Sequence, residues 1–392
     1  MIVVPHGAAA FEHAFEGGMI CIFSTTRDQT TTQVMRWLSH FGVTDVLRIN
    51  SDNGAAGDRV VEFDVDQNTL SFRQDGRLIR LSEIEAVWYR KGRHWLCNQF
   101  LEIDFSEHPR LAAYLQKKIV GEELRLSEYV HFVIENAVPA LGSPSRCDLN
   151  KLLVLHAARE VGLLTPAFRI SNCKASLKEA IADKPSITKP ITDGLYLFDN
   201  EHANTGYFSY TEALAASALD QLPDPLSPSL VQEQILKRMD ARVFFLEGRC
   251  YAMAIFSQRD EQTRVDFRRY NYAKPNRAVP LRLRPDLEAK IARLFASLKL
   301  NTGSVDFVVD QQGRFYFLEV NPVGQFSMVS APCNYFLERQ VAITLRDYAR
   351  RRRDHSATHQ CDQPNRYDSA ESRVIEGGHY ASSDGLPENI RP

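Results

Sequence analysis

The sequence predicts an α/β protein, and three observations carry that prediction. Residues 19–23, Met-Ile-Cys-Ile-Phe, form a compact apolar strand; a helix with Val34, Trp37, Leu38 and Phe41 at helical spacing follows, and residues 46–49 make a second strand. This strand-helix-strand order opens a layered α/β domain. Short strands rich in Val, Phe and Tyr then alternate with helical stretches as far as residue 350. Lastly, residues 303–310 and 314–322 read as a hairpin whose apolar strands contain Asp306, Glu319 and Asn321. At 392 residues the chain has room for two or three domains and a sizeable core.

The elements follow in order. A polar turn over residues 24–28 leads into the first helix, and Gly42 is placed to cap its C-terminus. Strands are expected over 60–65, 70–72 and 78–81, the last two around an Asp75-Gly76 turn, and over 86–89. A helical stretch covers 109–126. Pro139 and Pro144, with Gly142 between them, mark a boundary. Asn150 is an N-cap for a helix carrying Leu152, Leu153, Leu155 and Ala158 and ending near Gly162. Strands over 165–170, 186–189 and 207–210 and a helix over 177–182 come next. A Pro-rich connection, 222–228, precedes strands over 230–235 and 242–246, and Gly248 turns the second into 251–256. A helix over 286–298, the acidic hairpin and a helix over 334–350 complete the body. From residue 354 apolar residues are few and Ser, Asp, Gly and Pro are many, so 354–392 reads as a disordered tail.

Composition excludes several classes. Net charge is −2, so no global basic field points to nucleic acid. The seven cysteines include no CxxC pair and are odd in number, which disfavours a zinc site or a disulfide framework and suits a reducing cytoplasm. No apolar run reaches transmembrane length, so no membrane association is expected. The first eighteen residues lack a cationic start and an apolar core, and read as a loose leader before the first strand rather than a signal peptide.

The chemistry-bearing residues are spread along the chain. Glu319 and Asn321 point the same way on one strand, because side chains alternate faces. With Asp306 they make a hard-oxygen set suited to Mg²⁺, which takes few protein ligands; the plain alternative is a hairpin whose acids face water. Lys151 sits in the first turn of a helix, an unfavourable place for a cation unless an anion neutralises it. Lys189 ends a strand before a loop containing Gly194 and can hold phosphate oxygens as a point charge. The simpler reading of each lysine alone is an exposed surface residue. Strand 231–235, followed by Asp240 and Arg242, can present backbone groups to an adenine edge and a carboxylate to ribose; otherwise it is a charged edge strand. Arg268, Arg269 and Asn271 follow in Asp266-Phe-Arg-Arg-Tyr-Asn271, a phosphoryl clamp or a surface basic patch. Trp88-Tyr-Arg-Lys-Gly-Arg-His-Trp95 reads as an acidic-peptide contact or as packed core with solvated ends. Residues 24–28 form either an anion nest or, more simply, a helix cap.

In that order Lys151, Lys189, the Gln232-Glu-Gln-Ile235 strand, Asp240, Arg268, Asp306 and Glu319-Val-Asn321 resemble the ATP-grasp ligases over about residues 147–350. Gly-x-Val-Asp…Leu-Glu-Val-Asn-Pro is the most specific part. The short motifs Phe23-Ser-Thr-Thr-Arg-Asp28 and Val87-Trp-Tyr-Arg90 resemble the graspetide peptide maturases, microviridin-type and grasp-with-spasm. The resemblance implies an ATP-grasp domain at 147–350, preceded by a pre-ATP-grasp α/β domain at 19–138. It implies that Lys151 and Lys189 hold ATP phosphates, that Glu233, Gln234 and Ile235 form the adenine hinge, and that Asp240 meets the ribose. Asp306, Glu319 and Asn321 would hold Mg²⁺, and Arg268, Arg242 and Asn271 would face the reacting phosphate. One departure stands out: Tyr272-Ala-Lys-Pro-Asn-Arg277 occupies the place of a Gly-Gly pair found in several relatives.

The activity implied is formation of an acyl phosphate on an Asp or Glu side chain of a precursor peptide, with leader and acidic core, and its capture by a Ser or Thr hydroxyl or a Lys amine. A mobile lid is expected within residues 192–203, and an electropositive groove through Arg90, Lys91, Arg93, Arg268 and Arg269 is expected to draw the peptide in. A homodimer is left open. The alternatives are a carboxylate-amine ligase similar to glutathione synthetases or ribosomal-protein glutamate ligases, and a nucleotide-free peptide-binding module. Because the tail offers too little apolar surface to offset its ordering entropy, deleting residues 354–392 should leave the melting temperature and ATP turnover nearly unchanged, as thermal denaturation and a phosphate-release assay will report.

Overall fold

The first sheet starts from a strand with no polar side. In the computed structural model, which describes residues 18–52, 61–64, 69–74, 76–91, 109–192, 194, 196–199, 205–208, 210–269 and 271–361, β1 (Met19–Ser24) is buried along its whole length. Such a strand needs cover on both faces. α1 (Gln29–His40) supplies one face through Val34 and Leu38. Its N-cap is Asp28, whose Oδ1 accepts from the Thr30 N–H at 3.0 Å, so residues 24–28 are a cap. Gly42, at φ +79°, takes the left-handed turn that ends the helix. β2 (Val46–Asn50) pairs parallel to β1. β3 (Val61–Asp64), β4 (Thr69–Gln74) and β5 (Arg77–Arg80) form a separate antiparallel sheet. β6 (Ile84–Tyr89) returns parallel to β1. α2 (Pro109–Ala137) runs well past residue 126, because Val130, Ile134 and Val138 continue its apolar stripe into the core with Met19, Phe23 and Tyr89. β7 (Ala140–Leu141) completes a parallel sheet of order β2-β1-β6-β7.

After α3 (Lys151–Glu160), capped by the Asn150 carboxamide, the chain builds a smaller antiparallel sheet. Its elements are β8 (Phe168–Ser171), α4 (Lys174–Ile181), β9 (Ser186–Lys189), the pair β10 (Tyr196–Asp199) and β11 (Thr205–Phe208), β12 (Glu212–Ala213), α5 (Ala216–Asp220) and β13 (Ser229–Glu233). The order is β12-β9-β13-β8, and Val231 packs with Leu177, Ile181 and Leu219 on the helical side. β10 and β11 pair only with each other. Of the expected lid, the described part includes β10; residues 193, 195 and 200–203 lie outside the described residues.

The third sheet is packed with apolar residues on both faces. β14 (Lys237–Leu246) begins ahead of residue 242, where the sequence places it, and pairs with β15 (Arg249–Phe256). α6 (Glu261–Arg264), β16 (Arg277–Leu281), α7 (Pro285–Ser297), β17 (Thr302–Asp310), β18 (Phe315–Asn321), α8 (Ser327–Cys333) and α9 (Leu337–Cys361) follow. Strand order is β16-β15-β14-β17-β18. One face packs Val243, Phe245, Val305 and Phe307 against α3 and α7. The other face packs Phe244 with Phe326 and with Trp88 of the first sheet. Strand β16 and helix α8 were not expected from the sequence, since each is short and interrupted by Pro280 or Pro332. The final helix begins later and ends later than expected. The compact unit closes at Arg353 and a second unit begins at Asp354, while α9 continues to Cys361. Residues 362–392, the rest of the expected tail, lie outside the described residues, as does the expected leader before Gly18.

Polar ties fasten the first sheet to the third. Arg90, at the end of β6, is only 3% exposed. Its Nε binds Asp28 Oδ2 at 3.0 Å and its Nη1 donates to the carbonyls of Val323 and Gly324 at 2.6 and 2.5 Å. Thr30 and Ser327 share a hydroxyl hydrogen bond of 2.7 Å. Asn301 donates to the Ala140 carbonyl and accepts from the Gly142 N–H, which holds the predicted boundary segment against the third sheet. The electropositive groove is corrected here. Arg90 is a buried tether, Trp88 is core, and Arg93 lies outside the described residues.

Asp28 reports on this tether. Burial by itself raises its carboxyl, but Arg90, Lys91 and the Thr30 and Thr31 amides together hold it below the usual carboxylate range. A depressed carboxyl contributes stability above its unfolded pKa and loses it as pH falls through the folded value. Arg90→Ala should therefore cost about 3 kcal/mol at pH 7 in urea denaturation, because it strands a buried carboxylate. That difference should shrink as the medium becomes more acidic than about pH 4. Lys91→Ala, removing a more exposed cation, should cost under about 1 kcal/mol.

Candidate active site

Asp306 and Glu319 face each other across the β17–β18 pair. The hairpin alone does not produce this. At its closed end Val309 opposes Phe315 and Phe307 opposes Phe317, a register that would carry Glu319 past Asp306. A one-residue shift between Asp306 and Phe307 leaves Leu318 as the extra residue and restores the direct opposition. Asp310 accepts from the backbone N–H groups of Gln312 and Arg314 and closes the turn. A period-two strand turns every side chain over with a one-residue slip, so the bulge decides which face receives Glu319.

The same face of β14 changes character along its length. Phe244 is core, Arg242 opposes Asp306, and Asp240 comes next. Arg242 Nη1 lies 3.4 Å from Asp306 Oδ2. Asp306 is 9% exposed; burial and then the Glu319 charge push its carboxyl up to about 6 against the pull of Arg242. Glu319 is met from two sides, by Lys151 Nζ at 3.7 Å and Arg268 Nη1 at 4.0 Å. The Lys151 cation in a helix first turn thus has its anion. Its ammonium also donates to the Thr192 carbonyl at 2.7 Å. Lys189 reaches the same place from β9; desolvation lowers its ammonium below the ordinary lysine value while Glu319 opposes that shift.

Two groups that the sequence reading passed over organise the cations. Asp266 holds Arg268 through a forked pair, Nε–Oδ1 at 2.9 Å and Nη2–Oδ2 at 2.7 Å. The i, i+2 spacing was visible, but not that Asp266 would be buried. Lys237 lies 2.7 and 2.9 Å from the two carboxylate oxygens of Asp240, and Ser257 donates to Asp240 at 2.5 Å. Asp240 therefore enters the site already paired.

These groups line a cleft of about 780 Å³, solvent at its mouth included. Pro166, Ile187, Phe307, Val308 and Leu318 supply apolar walls; Lys189, Glu233, Gln234, Ile235, Lys237, Asp240, Arg268, Asp306 and Glu319 supply the polar ones. The N–H groups of Glu233 and Gln234 are spent on Ala167 and Pro185, and Ile235, in the connection to β14, also lines the cleft. Lys151 and Arg242 border the cleft through their carboxylate partners. Asn321 opposes Ser304, and its Oδ1 accepts from the Gly324 N–H at 3.1 Å. Asn271 is not brought in; its carboxamide is used by Asp260 and the Ala273 and Lys274 amides. In the doubtful 272–277 loop, Arg277 belongs to β16.

The residues present fit a divalent cation and an anion. Among the described residues, Asp306 Oδ1 is a buried acceptor with no partner and Arg242 Nε a buried donor with none. Among the described residues no three His, Cys, Asp or Glu side chains converge on one point. The candidate set is two carboxylates and an amide, which suits a cation that keeps other oxygen ligands.

No family model matches this chain, and no curated protein sequence matches it. Solved structures do. A RiPP-associated ATP-grasp ligase from Chryseobacterium gregarium, in complex with ADP and a leader and core peptide, is 22% identical, with a TM-score of 0.69 over 85% of this chain and 96% of that one. The macrocyclase MdnC from Microcystis aeruginosa MRC, bound with precursor peptide MdnA, is 22% identical, with a TM-score of 0.66 over 83% and 99%. The ATP-grasp ligase PsnB, complexed with minimal precursor, Mg and ADP, is 17% identical, with a TM-score of 0.64 over 84% and 97%. The chain has the ATP-grasp fold.

Asp306 yields a test with a definite sign. A carboxyl raised in the folded state favours folding fully only below its unfolded pKa, and that advantage is lost as pH rises through about 6. In chelator-treated protein, Asp306→Asn should raise unfolding free energy by about 2 kcal/mol at pH 8. The gain should fall toward zero near pH 4, as urea titrations at both pH values will report.

Proposed function

We propose that this chain is an ATP-dependent carboxylate ligase that matures a ribosomally made precursor peptide. It activates Asp or Glu side chains as acyl phosphates and joins them to Ser or Thr hydroxyls or Lys amines, closing macrocyclic esters or amides. The observation that carries this reading is the opposition of Asp306 and Glu319 on one face of an open cleft, with Arg242, Arg268, Lys151 and Lys189 around them. Ile187 and Lys189 of the smaller antiparallel sheet and Asp240, Asp306 and Glu319 of the third sheet line that cleft together.

In this reading residues 19–138 are the pre-ATP-grasp domain and 147–350 the ATP-grasp domain. Lys189 and Lys151 hold phosphate oxygens as point charges. Glu233, Gln234 and Ile235 border the base, with Ile235 as the backbone contact. Asp240 stands toward the ribose with Lys237 at its side. Asp306, Glu319 and Asn321 would hold Mg²⁺, which supplies neutralisation of phosphate charge when bound. Arg268, oriented by Asp266, and Arg242, oriented by Asp306, meet the charge on the transferring phosphoryl group. The peptide carboxylate attacks the γ-phosphorus and ADP leaves. The hydroxyl or amine then attacks the acyl carbon, and inorganic phosphate departs with the carbonyl oxygen restored. Asn271 keeps its place in this set only if its loop rearranges.

The buried charges disfavour the nucleotide-free module, because such a protein gains nothing from holding two carboxylates together. A small carboxylate-amine ligase uses the same chemistry and differs in the acceptor. The partner proposed is a precursor peptide with a leader and an acidic core, and a homodimer remains part of the proposal. No described helix is long and apolar enough to cross a membrane, and a cytoplasmic location fits the scattered free cysteines.

Lys189→Ala should abolish peptide-dependent phosphate release from ATP, a loss of at least about 100-fold for a phosphate-holding cation. Its melting temperature should stay within about 2 °C of wild type. Lys299→Ala, on the turn after α7, should leave turnover unchanged. Wild-type turnover in Lys189→Ala would return that lysine to an ordinary surface role.

A further inference from the structure

Three contacts tie the segment leading into β12 to the loop that carries Arg268. The Thr211 N–H donates to Asp266 Oδ2 at 3.3 Å, the same carboxylate that holds Arg268 in its fork. Arg269 Nη2 donates to Glu212 Oε1 at 2.9 Å. The Arg269 guanidinium also lies over the Tyr210 ring, 5.0 Å from its centroid. Residues 210–212 therefore form a strap between two parts of the site. On one side Glu212 and Ala213 pair with Thr188 and Ile187 of β9, the strand that ends in Lys189. On the other lies Arg268, whose Nη1 is 4.0 Å from Glu319. Thr211, Asp266, Lys189 and Arg268 all line the cleft.

We propose that the strap is a releasable latch across the cleft, and that Arg269 and Glu212 are positioning residues that hold the Lys189 strand against the Arg268 loop. This rests on the proposed use of ATP and deepens it by assigning nucleotide residence to a pair that stands beside the cleft. The two neighbouring arginines divide the work. Arg268 is tied within its own loop, to a carboxylate two residues back that is 6% exposed, so it moves with the third sheet. Arg269 reaches across to the smaller sheet, and its partner Glu212 has a side chain 65% exposed. The Arg269 Nε is a buried donor with no partner among the described residues, so the fork is only half used. The Thr211 bond is long for an N–H···O contact. Exposed ion pairs are weak; such a contact biases an equilibrium about fivefold and does not fix it. Latched, Lys189 and Arg268 face the phosphates together. Released, β9 carries Lys189 away and the nucleotide leaves.

The test is stopped-flow binding and displacement of a fluorescent ADP analogue, with Mg²⁺, on the full-length chain. Arg269→Gln and Glu212→Gln should each release it about fivefold faster, with association within about twofold of wild type. The double variant should release it no faster than either single one, because both remove the same contact. Salt should accelerate release more in wild type than in either variant, since only wild type has this exposed pair to screen. Exchanging the charges, Glu212→Arg with Arg269→Glu, should restore slow release, a rescue that a packing role would not give. Melting temperatures of the single variants should stay within about 2 °C of wild type. Unchanged release in both single variants, losses that add, or no rescue by the exchange would overturn the latch while leaving nucleotide binding intact. Failure of wild type to bind the analogue or ADP itself would instead remove the ATP reading and this inference with it.

Discussion

Two carboxylates held opposite each other inside the protein are the constraint around which this molecule is arranged. Like charges at that separation repel, and burial adds to the penalty, so Asp306 shifts toward its neutral form. The fold meets the cost with cations from three directions: Arg242 from the neighbouring strand, Lys151 from a helix start and Arg268 from a loop. None of these pairings is an ideal short fork. By contrast, Lys237–Asp240 and Arg268–Asp266 are close and multiply bonded. The short pairs fix positions.

The third sheet is what makes this arrangement rigid. Its two faces are packed by separate apolar clusters, and the charged row Asp240, Arg242, Asp306, Glu319 continues the same face on which Phe244 is core. A side chain on such a strand has little freedom to retreat from its neighbour. The smaller sheet, with Lys189 and Gln232, closes over that row from the other side. Its core is slight, drawn from Leu177, Ile181, Leu219 and Val231.

The first sheet contributes no described residue to the cleft, yet it is fastened to the segment that follows the acidic strand. Arg90 binds the carbonyls of Val323 and Gly324, and Asn321 caps the same turn through Gly324. A buried guanidinium is an expensive way to join two layers. What it provides is a fixed orientation for the turn next to Asn321, two residues beyond Glu319.

Much of this was legible in the sequence because it was local. Helix caps at Asp28 and Asn150, the positive-φ glycines 42, 162 and 248 and the apolar periods of β1, α1, α7 and β17 are decided by neighbours a few residues away. So was the chemical character of the site, since Asp306, Glu319 and Asn321 stand out in otherwise apolar strands. What the sequence could not determine depended on distant partners. Arg90 looks like the end of a solvated cationic run until Asp28 and the 323–324 carbonyls enclose it. Asp240 looks free until Lys237 and Ser257 reach it, and Asn271 looks available until Asp260 takes its amide. The extra residue at Leu318 is the clearest case. A strand's own pattern fixes which side chains share a face, but the register against its partner is a property of two chains of atoms packed together, and only the tertiary structure chooses it.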